Sequence, residues 1–247
     1  MKIVSIMQPG YFPWIGFFEL MQRSDIFIVY DIVKFDKNGW RNRNRIKNSS
    51  GPVWLTVPVH AKNSPALKDI KIDNSKNWQN KHLKSIEINY KKARYFNDYF
   101  PKVKEILSRE WESLGDLNLA TIDLLASSFN INPKLLIASR LGVEDEISGA
   151  ERVEKLLKLC QLHGDGADVF YEPAGGKDYL ASEHHRFKEL GMDLVFQDID
   201  PVEHGQLHGD FLPNLSALDL LFNEGPASFH IIKKSGGKVK IKKDEDT

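Results

Sequence analysis

The first residues with potential for chemistry lie in a loop near the start of the chain, where the sequence from Gln8 reads QPGYFPWIG. Prolines on both sides of the Gly10-Tyr11 pair stiffen the backbone, and glycine permits a ligand to approach closely. A helix that begins near Pro13 would direct free N–H groups toward an anion. The loop lacks the Gly-Lys-Ser/Thr ending of a Walker loop and the dinucleotide fingerprint. Gln8, Tyr11 and Trp14 are candidate ligand contacts; the alternative is a rigid connector in which Trp14 only packs.

A basic segment, GWRNRNRIK, alternates arginine with asparagine. In an extended conformation the arginines would share one face of the segment and the asparagines the other. Arginine binds phosphate or carboxylate through two parallel hydrogen bonds, and asparagine can recognise an amide or a sugar hydroxyl. This pattern beside a tryptophan favours a sugar nucleotide over duplex DNA, for which no recognition helix is evident; a solvated basic loop is the alternative. The candidate contacts are Trp40, Asn42, Arg43 and Arg45.

A third group, Trp78, Lys81 and His82, lies in the segment NWQNKHL, which is predicted to begin a helix. Trp78 and His82 are four residues apart and therefore share a helix face. A histidine that is neutral at pH 7 can accept a proton as a general base. Asp31, which follows an apolar segment, could orient such a base. The alternative for His82 is a packing residue.

A glycine pair in EPAGGKDYL, Gly175-Gly176, follows a predicted strand and precedes a predicted helix. Exposed N–H groups at such a pair can bind a phosphate or a carboxylate. The histidines of SEHHRF and EHGQLHG match no standard zinc spacing, so no metal site is expected. The one cysteine, Cys160, falls among the apolar positions of a predicted helix, which favours a buried residue over a nucleophile. It has no partner for an intramolecular disulfide.

The elements that must position these groups alternate between apolar strands and amphipathic helices. Apolar runs such as KIVSIMQ and DIFIVYDIVKF are typical of parallel strands that are covered on both faces. The predicted fold class is therefore α/β, with a mostly parallel sheet, helices on both faces and a helical insertion over about 95–130. Ligands bind beyond the C-terminal strand ends of such sheets. The loops expected there are 8–14, 31–45, 139–148, 172–179 and 197–206.

Length and composition predict one domain over residues 1–232 and a mobile, charged tail over 233–247. Lysine plus arginine (34) equals aspartate plus glutamate (34), so no overall field draws the protein toward duplex nucleic acid or a membrane surface. No run reaches the roughly 18 apolar residues that a membrane span needs. The expectation is a cytoplasmic protein without membrane insertion, and the oligomeric state stays open.

The chain resembles the WbqC-like family of bacteria from Gln8 to about Gly225. The segments that carry the resemblance are QPGYFPWIGFFELMQRSDIFIVYDIVKFDKNGWRNRNRI, WQNKH, GGKDYL, FQDI and LSALDLLFNEG. The family pattern marks Gln8, Pro9, Tyr11, Pro13, Trp14, Gly16, Asp31, Trp40, Asn42, Arg43, Ile46, Trp78, Lys81, His82, Gly176, Tyr179 and Leu180. After FQ the pattern has an aromatic residue and a His-Pro pair, whereas this chain has Asp200-Pro201 and a displaced His204. No role is therefore assigned to that histidine.

Such proteins are associated with gene clusters for O-antigen and other surface polysaccharides. The resemblance implies N-acyl transfer of a glycyl or related aminoacyl group to a nucleotide-linked amino sugar. On that hypothesis His82 removes a proton from the amine, Asp31 orients His82 or the amine, and Gln8 stabilises the carbonyl oxygen as it becomes an oxyanion. The acyl donor stays open between ATP with a free amino acid, acyl-CoA and charged tRNA. Two alternatives are nucleotidyl transfer to a sugar phosphate and a non-catalytic protein that holds a sugar nucleotide.

The layout of strand, Gly/Pro loop, helix and strand is also similar to the opening of nucleotidyltransferase-like enzymes such as pantothenate synthetase. Those enzymes join an acid to an amine through an acyl adenylate. Their His-x-x-Gly-His motif is absent here, where the chain has aromatic residues in YFPWIGFF. The similarity supports the fold, and the missing histidines weaken the case for ATP turnover.

Overall fold

The computed structural model describes residues 1–37, 39–63 and 65–237. Its strands are β1 (Ile3–Met7), β2 (Ile26–Val29), β3 (Arg43–Asn48), β4 (Gly51–Thr56), β5 (Val59–His60), β6 (Lys71–Ile72), β7 (Lys134–Ile137), β8 (Val169–Glu172) and β9 (Asp193–Phe196). Its α-helices are α1 (Ile15–Arg23), α2 (Trp78–Tyr90), α3 (Phe96–Leu107), α4 (Leu114–Ser128), α5 (Glu144–Ile147), α6 (Arg152–His163), α7 (Lys177–Leu180), α8 (His184–Glu189), α9 (Ala217–Glu224) and α10 (Ser228–Ser235). The central sheet has the order β7-β2-β1-β8-β9, and each neighbouring pair is parallel. This confirms the predicted α/β class.

Side chains of the central strands alternate between two cores, one on each face of the sheet. Ile3 and Phe27 belong to the larger core, which includes apolar residues of α1, α4 and α9. Val4, Ile26 and Phe170 belong to the smaller core, which includes apolar residues of α6 and α8. Because both faces are buried, these strands need nearly continuous apolar sequences, which explains the runs that predicted them.

The connection from β2 to β7 carries two small antiparallel sheets, β3-β4 and β5-β6, together with α2, α3 and α4. Helices α3 and α4 account for the predicted helical insertion over 95–130. Strands β4 and β5 are separated at Pro58, which has no N–H to continue a ladder. Both strands lie outside the central sheet.

The last described helix, α10, extends to Ser235, so the first residues of the predicted tail are helical. The buried Ser235 hydroxyl donates a hydrogen bond to the Ile232 carbonyl, 2.7 Å away. The remainder of the predicted mobile tail, residues 238–247, lies outside the described residues. Within the described ranges, no helix combines the length and the apolar character that crossing a membrane requires.

The loop after β1 is fixed by hydrogen bonds from distant elements. Phe12 has a φ of 40°, a region that a bulky L-residue rarely adopts. The Asn44 side-chain amide in β3 donates to the Phe12 carbonyl at 2.7 Å and to the Tyr11 carbonyl at 3.3 Å. The Phe12 N–H donates to Thr121 Oγ1 in α4 at 3.3 Å. These bonds satisfy buried backbone groups and hold the loop in one conformation.

Replacing Asn44 with alanine is expected to lower the free energy of unfolding by roughly 2–4 kcal/mol, because buried carbonyls lose their donor. Urea unfolding at equilibrium measures this change. The matched control is Asn48→Ala at the other end of β3, where the side chain accepts one bond from the exposed Ser50 N–H. The control is expected to cost about 1 kcal/mol or less. Equal small losses in the two variants would contradict the proposed role of Asn44.

Candidate functional site

The candidate site lies where the strand order of the central sheet reverses. The chain runs outward from β1 to β2 and β7 and then returns to β8, on the other side of β1. In open α/β sheets, ligands bind in the crevice outside the carboxyl ends of strands at this point. Gln8 directly follows β1, and Glu172 is the last residue of β8.

A first cavity of about 340 Å³ lies beside the loop after β1. Its polar and aromatic lining includes Gln8, Trp14, Trp40, Arg41, Arg45 and Asn214. Arg45 Nη2 donates to the Asn214 carbonyl at 3.3 Å, which closes one side of the cavity. The volume is within the range that small-molecule ligands occupy.

A second cavity of about 570 Å³ adjoins the first. Its polar lining includes Gln8, Lys34, Arg41, Arg152, Lys155, Glu172, Gly175, Gly176 and Tyr179. The two cavities share Met7, Gln8 and Arg41, so these residues form a common wall. Four cationic side chains and one carboxyl group line the second cavity, which makes it suited to an anion.

Arg41 is the cation that both cavities share. Burial lowers the pKa of its guanidinium from 12.5 to about 10, and nearby Asp36 acts in the opposite direction. Arg41 therefore stays positively charged at neutral pH. Its Nε is buried and has no hydrogen-bond partner among the described residues. The Asn118 side-chain amide donates to the Arg41 carbonyl at 2.8 Å and so fixes its backbone.

Glu172 is the carboxyl group of the second cavity and is only 4% exposed. Burial raises its pKa from 4.5 to about 7, although the Tyr179 hydrogen bond and the Arg152 charge act to lower it. The Tyr179 hydroxyl donates to Glu172 Oε1 at 2.6 Å. Glu172 Oε2 is buried without a hydrogen-bond partner among the described residues. A carboxyl group with a pKa near 7 can serve as a general base at neutral pH.

The glycine pair makes room for this carboxyl group. A Cβ at Gly176 would lie 2.3 Å from Glu172 Cγ, so any larger residue would displace the glutamate. The Gly176 N–H donates to the Pro173 carbonyl at 2.8 Å. This corrects the expected role of the Gly176 N–H as a free anion donor, because it is used within the turn.

His82, the predicted base, lies away from both cavities in a buried aromatic cluster. It is 5% exposed, and its Nδ1 is 2.9 Å from the Tyr11 hydroxyl. The Trp78 ring is 5.3 Å from the His82 ring. Burial lowers the pKa of His82 to about 4. The structure therefore corrects the expected roles of Tyr11, Trp78 and His82 to packing roles, and Lys81 on the same helix is exposed outside both linings.

Two further predicted residues are used by the fold. Both oxygens of the buried Asp31 carboxylate accept hydrogen bonds from Ser139, at 2.9 Å from its N–H and 2.6 Å from its hydroxyl. The buried Asn42 amide donates to the Val57 carbonyl at 2.8 Å. The expected roles of Asp31 in orienting a base and of Asn42 in binding substrate are corrected accordingly.

Three of the five loops predicted from the sequence line the cavities, and part of their chemistry was missed. Loops 8–14, 31–45 and 172–179 supply lining residues, whereas 139–148 and 197–206 supply none of those described for the two cavities. The residues that were not predicted as contacts are Lys34, Arg152, Lys155, Glu172 and Asn214. Glu172 could have been recognised from the sequence, because it is an ionisable residue at the end of a predicted strand and directly precedes Pro-Ala-Gly-Gly.

The fold and the site define an α/β protein with a charged ligand cavity at the reversal of its strand order. The chain belongs to the WbqC-like protein family, whose sequence model matches residues 8–231. It is 33% identical over 229 residues to "Uncharacterized protein Rv1507c" of Mycobacterium tuberculosis (strain ATCC 25618 / H37Rv), with 91% of this chain and 95% of that protein covered. No solved structure matches the chain significantly. The family prediction is confirmed.

Tyr11→Phe is expected to destabilise the protein by about 1–3 kcal/mol, because it leaves the buried His82 Nδ1 without a partner. Thermal or urea unfolding measures the loss, and ligand affinity well below the melting temperature should not change. Tyr99→Phe is the control, since this half-buried hydroxyl has no hydrogen bond among the described residues and should cost about 0.5 kcal/mol or less. If a fully folded Tyr11→Phe protein bound ligand more weakly than wild type, the packing role would be contradicted and the aromatic cluster would belong to the ligand site.

Glu172→Gln is expected to change how stability depends on pH. Between pH 4.5 and about 7 the folded wild type holds a proton on Glu172 that the unfolded chain has released, so rising pH destabilises the wild type. Over that window the loss of the Glu172 proton should lower the free energy of unfolding of the wild type by roughly 3 kcal/mol. The glutamine variant should not show this decrease. Unfolding free energies of both proteins at several pH values give the difference. A difference that is constant with pH would contradict the raised pKa of Glu172.

Proposed function

We propose that this protein transfers an acyl group, glycyl or a related aminoacyl group, to the amine of a nucleotide-linked amino sugar in surface-polysaccharide synthesis. The observation that carries the proposal is the buried Glu172 among the cations of the second cavity, which shares Gln8 and Arg41 with the adjoining first cavity. Two substrates are needed for acyl transfer, and two connected cavities offer each its own space. Family membership supports the pathway, because the WbqC-like resemblance implies surface-polysaccharide gene clusters.

In the proposed reaction the neutral sugar amine attacks the carbonyl carbon of an activated acyl donor. The donor is an acyl-CoA, or an acyl adenylate made from a free amino acid and ATP. The nitrogen lone pair forms the new C–N bond, and the bond from the carbonyl carbon to the thiolate or phosphate leaving group breaks with its electron pair. The proton that nitrogen loses goes to Glu172. A base with a pKa of about 7 is well matched to this transfer at neutral pH.

The charged residues fit the anionic parts of both substrates. Arg41 and Arg45 are placed to hold the diphosphate of a sugar nucleotide in the first cavity. Arg152 and Lys155 are placed to hold a phosphate of the donor in the second. Binding both substrates together converts a bimolecular step into an effectively unimolecular one. This replaces His82 by Glu172 as the proposed base.

Gln8 is the proposed donor to the carbonyl oxygen. It lies on the common wall of the two cavities, and its amide makes no hydrogen bond within the described residues. A side-chain N–H at this place could stabilise the oxygen as negative charge develops on it in the transition state. The half-buried side chain is available to a substrate from either cavity.

The test is turnover of UDP- and dTDP-linked amino sugars with acyl-CoA, or with glycine plus ATP, followed by mass spectrometry of the sugar nucleotide. The expected product carries the added acyl mass. Glu172→Gln should reduce the rate about 10²–10⁴-fold while affinity for the sugar nucleotide, from isothermal titration, stays within a few-fold. Glu189→Gln serves as the exposed control.

Other outcomes identify the alternatives. Release of pyrophosphate from a nucleoside triphosphate and a sugar phosphate would indicate nucleotidyl transfer. Tight binding of the sugar nucleotide with no product from any donor would indicate a binding protein. A wild type that neither binds nor modifies these sugar nucleotides contradicts the proposal.

A further inference from the structure

The β3-β4 hairpin carries an unusual exposed aromatic surface. Among the described residues, the exposed large aromatic side chains are Trp40 and Trp54, each 45% exposed. Their ring centroids are 5.2 Å apart, and the ring planes differ by 34°. Two tryptophans side by side expose a large apolar area, which normally marks a binding surface. We call this pair the tryptophan platform.

Arginines of the same hairpin lie against the platform. The Arg43 guanidinium carbon lies 4.5 Å from the centroid of the Trp54 ring, and that of Arg45 lies 5.3 Å from the centroid of the Trp40 ring. Arg45 also pairs with Trp54 across the hairpin register. Cation–π contacts of this kind restrict the side chains before any ligand arrives. The platform is therefore aromatic, cationic and largely preorganised.

The platform is continuous with the first cavity. Trp40 of the platform and Arg45, which lies against it, both line the cavity, and Arg41 lies deeper, on the wall shared with the second cavity. From the surface inward, a ligand would meet flat aromatic rings, then two arginines, then the proposed reaction centre at Gln8 and Glu172. A nucleotide sugar has its groups in the same order: base with its ribose, diphosphate, sugar.

We infer that the tryptophan platform is the stacking surface for the nucleobase of the sugar nucleotide, which fixes the direction in which this substrate enters. The inference rests on the proposed function, because it assumes that the first cavity holds the nucleotide. Aromatic stacking tolerates different bases, so the platform itself distinguishes uracil from thymine only weakly. Selection of the sugar would fall to the inner cavity.

A mononucleotide fits the platform better than a nucleic-acid strand does. Sequence-tolerant strand binding needs a cationic groove that follows the backbone over several nucleotides. Here the net charge of the chain is zero, and the platform leads into a cavity of about 340 Å³ instead of an open groove. The surface offers two rings, enough for one base.

The test compares the affinity of wild type, Trp54→Ala and Trp54→Phe for UDP and for inorganic pyrophosphate, by isothermal titration. Trp54 is not among the residues that line the first cavity, and without it Arg45 keeps its closer contact with the Trp40 ring, so the phosphate contacts should stay in place. Trp54→Ala should weaken UDP binding about 5- to 150-fold, the usual effect of losing one stacking partner, with pyrophosphate affinity unchanged within two-fold. Trp54→Phe should restore most of the UDP affinity, and melting temperatures should show that both variants fold. Ile88→Ala, at another exposed apolar residue, is the control and should bind both ligands as wild type does.

Several results would overturn the inference. If wild type binds UDP and Trp54→Ala binds it equally well, the platform does not hold the base, although the proposed function survives. The same conclusion follows if the affinities for UDP and for pyrophosphate fall together in the variant. It also follows if the variant loses only its affinity for oligouridylate. It follows too if Trp54→Ala only converts a dimer to a monomer, as read by light scattering. If wild type binds neither UDP nor a UDP-amino sugar, the proposed function fails and takes the platform inference with it.

Discussion

The arrangement of the site depends on the need of buried backbone groups for hydrogen-bond partners. The loop after β1 passes under β3 and α4, where water cannot satisfy its carbonyls. The Asn44 amide binds two of these carbonyls and so holds Phe12 at a positive φ. With the loop fixed in this way, Gln8 and Trp14 line the first cavity. A different loop conformation would also move the wall that both cavities share.

The alternation of arginine and asparagine along the start of β3 serves the fold and the site together. Asn42 and Asn44 point inward and bind backbone carbonyls, while Arg41 and Arg45 point toward the cavities. A strand puts successive side chains on opposite faces, so one short segment can attach the hairpin to the core and supply cations to a ligand. The two-face expectation from the sequence is confirmed here. The side-chain amides of both asparagines donate to main-chain carbonyls, and Asn44 also lines the first cavity.

The fold was predictable because buried parallel strands require apolar runs, and the helices between them carry apolar residues at a regular helical spacing. The position of the candidate site is the one that the rule for strand ends predicts. The identity of the proposed base was not predictable. Helical spacing shows that Trp78 and His82 share a face, but not that this face turns toward Tyr11 and away from the cavities. The properties of Glu172 depend on contacts with Gly176 and Tyr179 that only the folded turn creates.

The balance of charge in the second cavity bears on how Glu172 would work. Burial alone raises its pKa, while the Tyr179 hydroxyl and the Arg152 charge hold that increase to a value of about 7. A phosphate bound at Arg152 and Lys155 would offset part of this positive field, and the pKa of Glu172 would rise further. The carboxylate would then be a stronger base but a smaller fraction of it would be ionised. With four cations against one carboxyl group, the lining keeps a net positive charge after one singly or doubly charged phosphate has bound. The excess of cations is thus what allows an anionic substrate and an ionised Glu172 to occupy the same cavity.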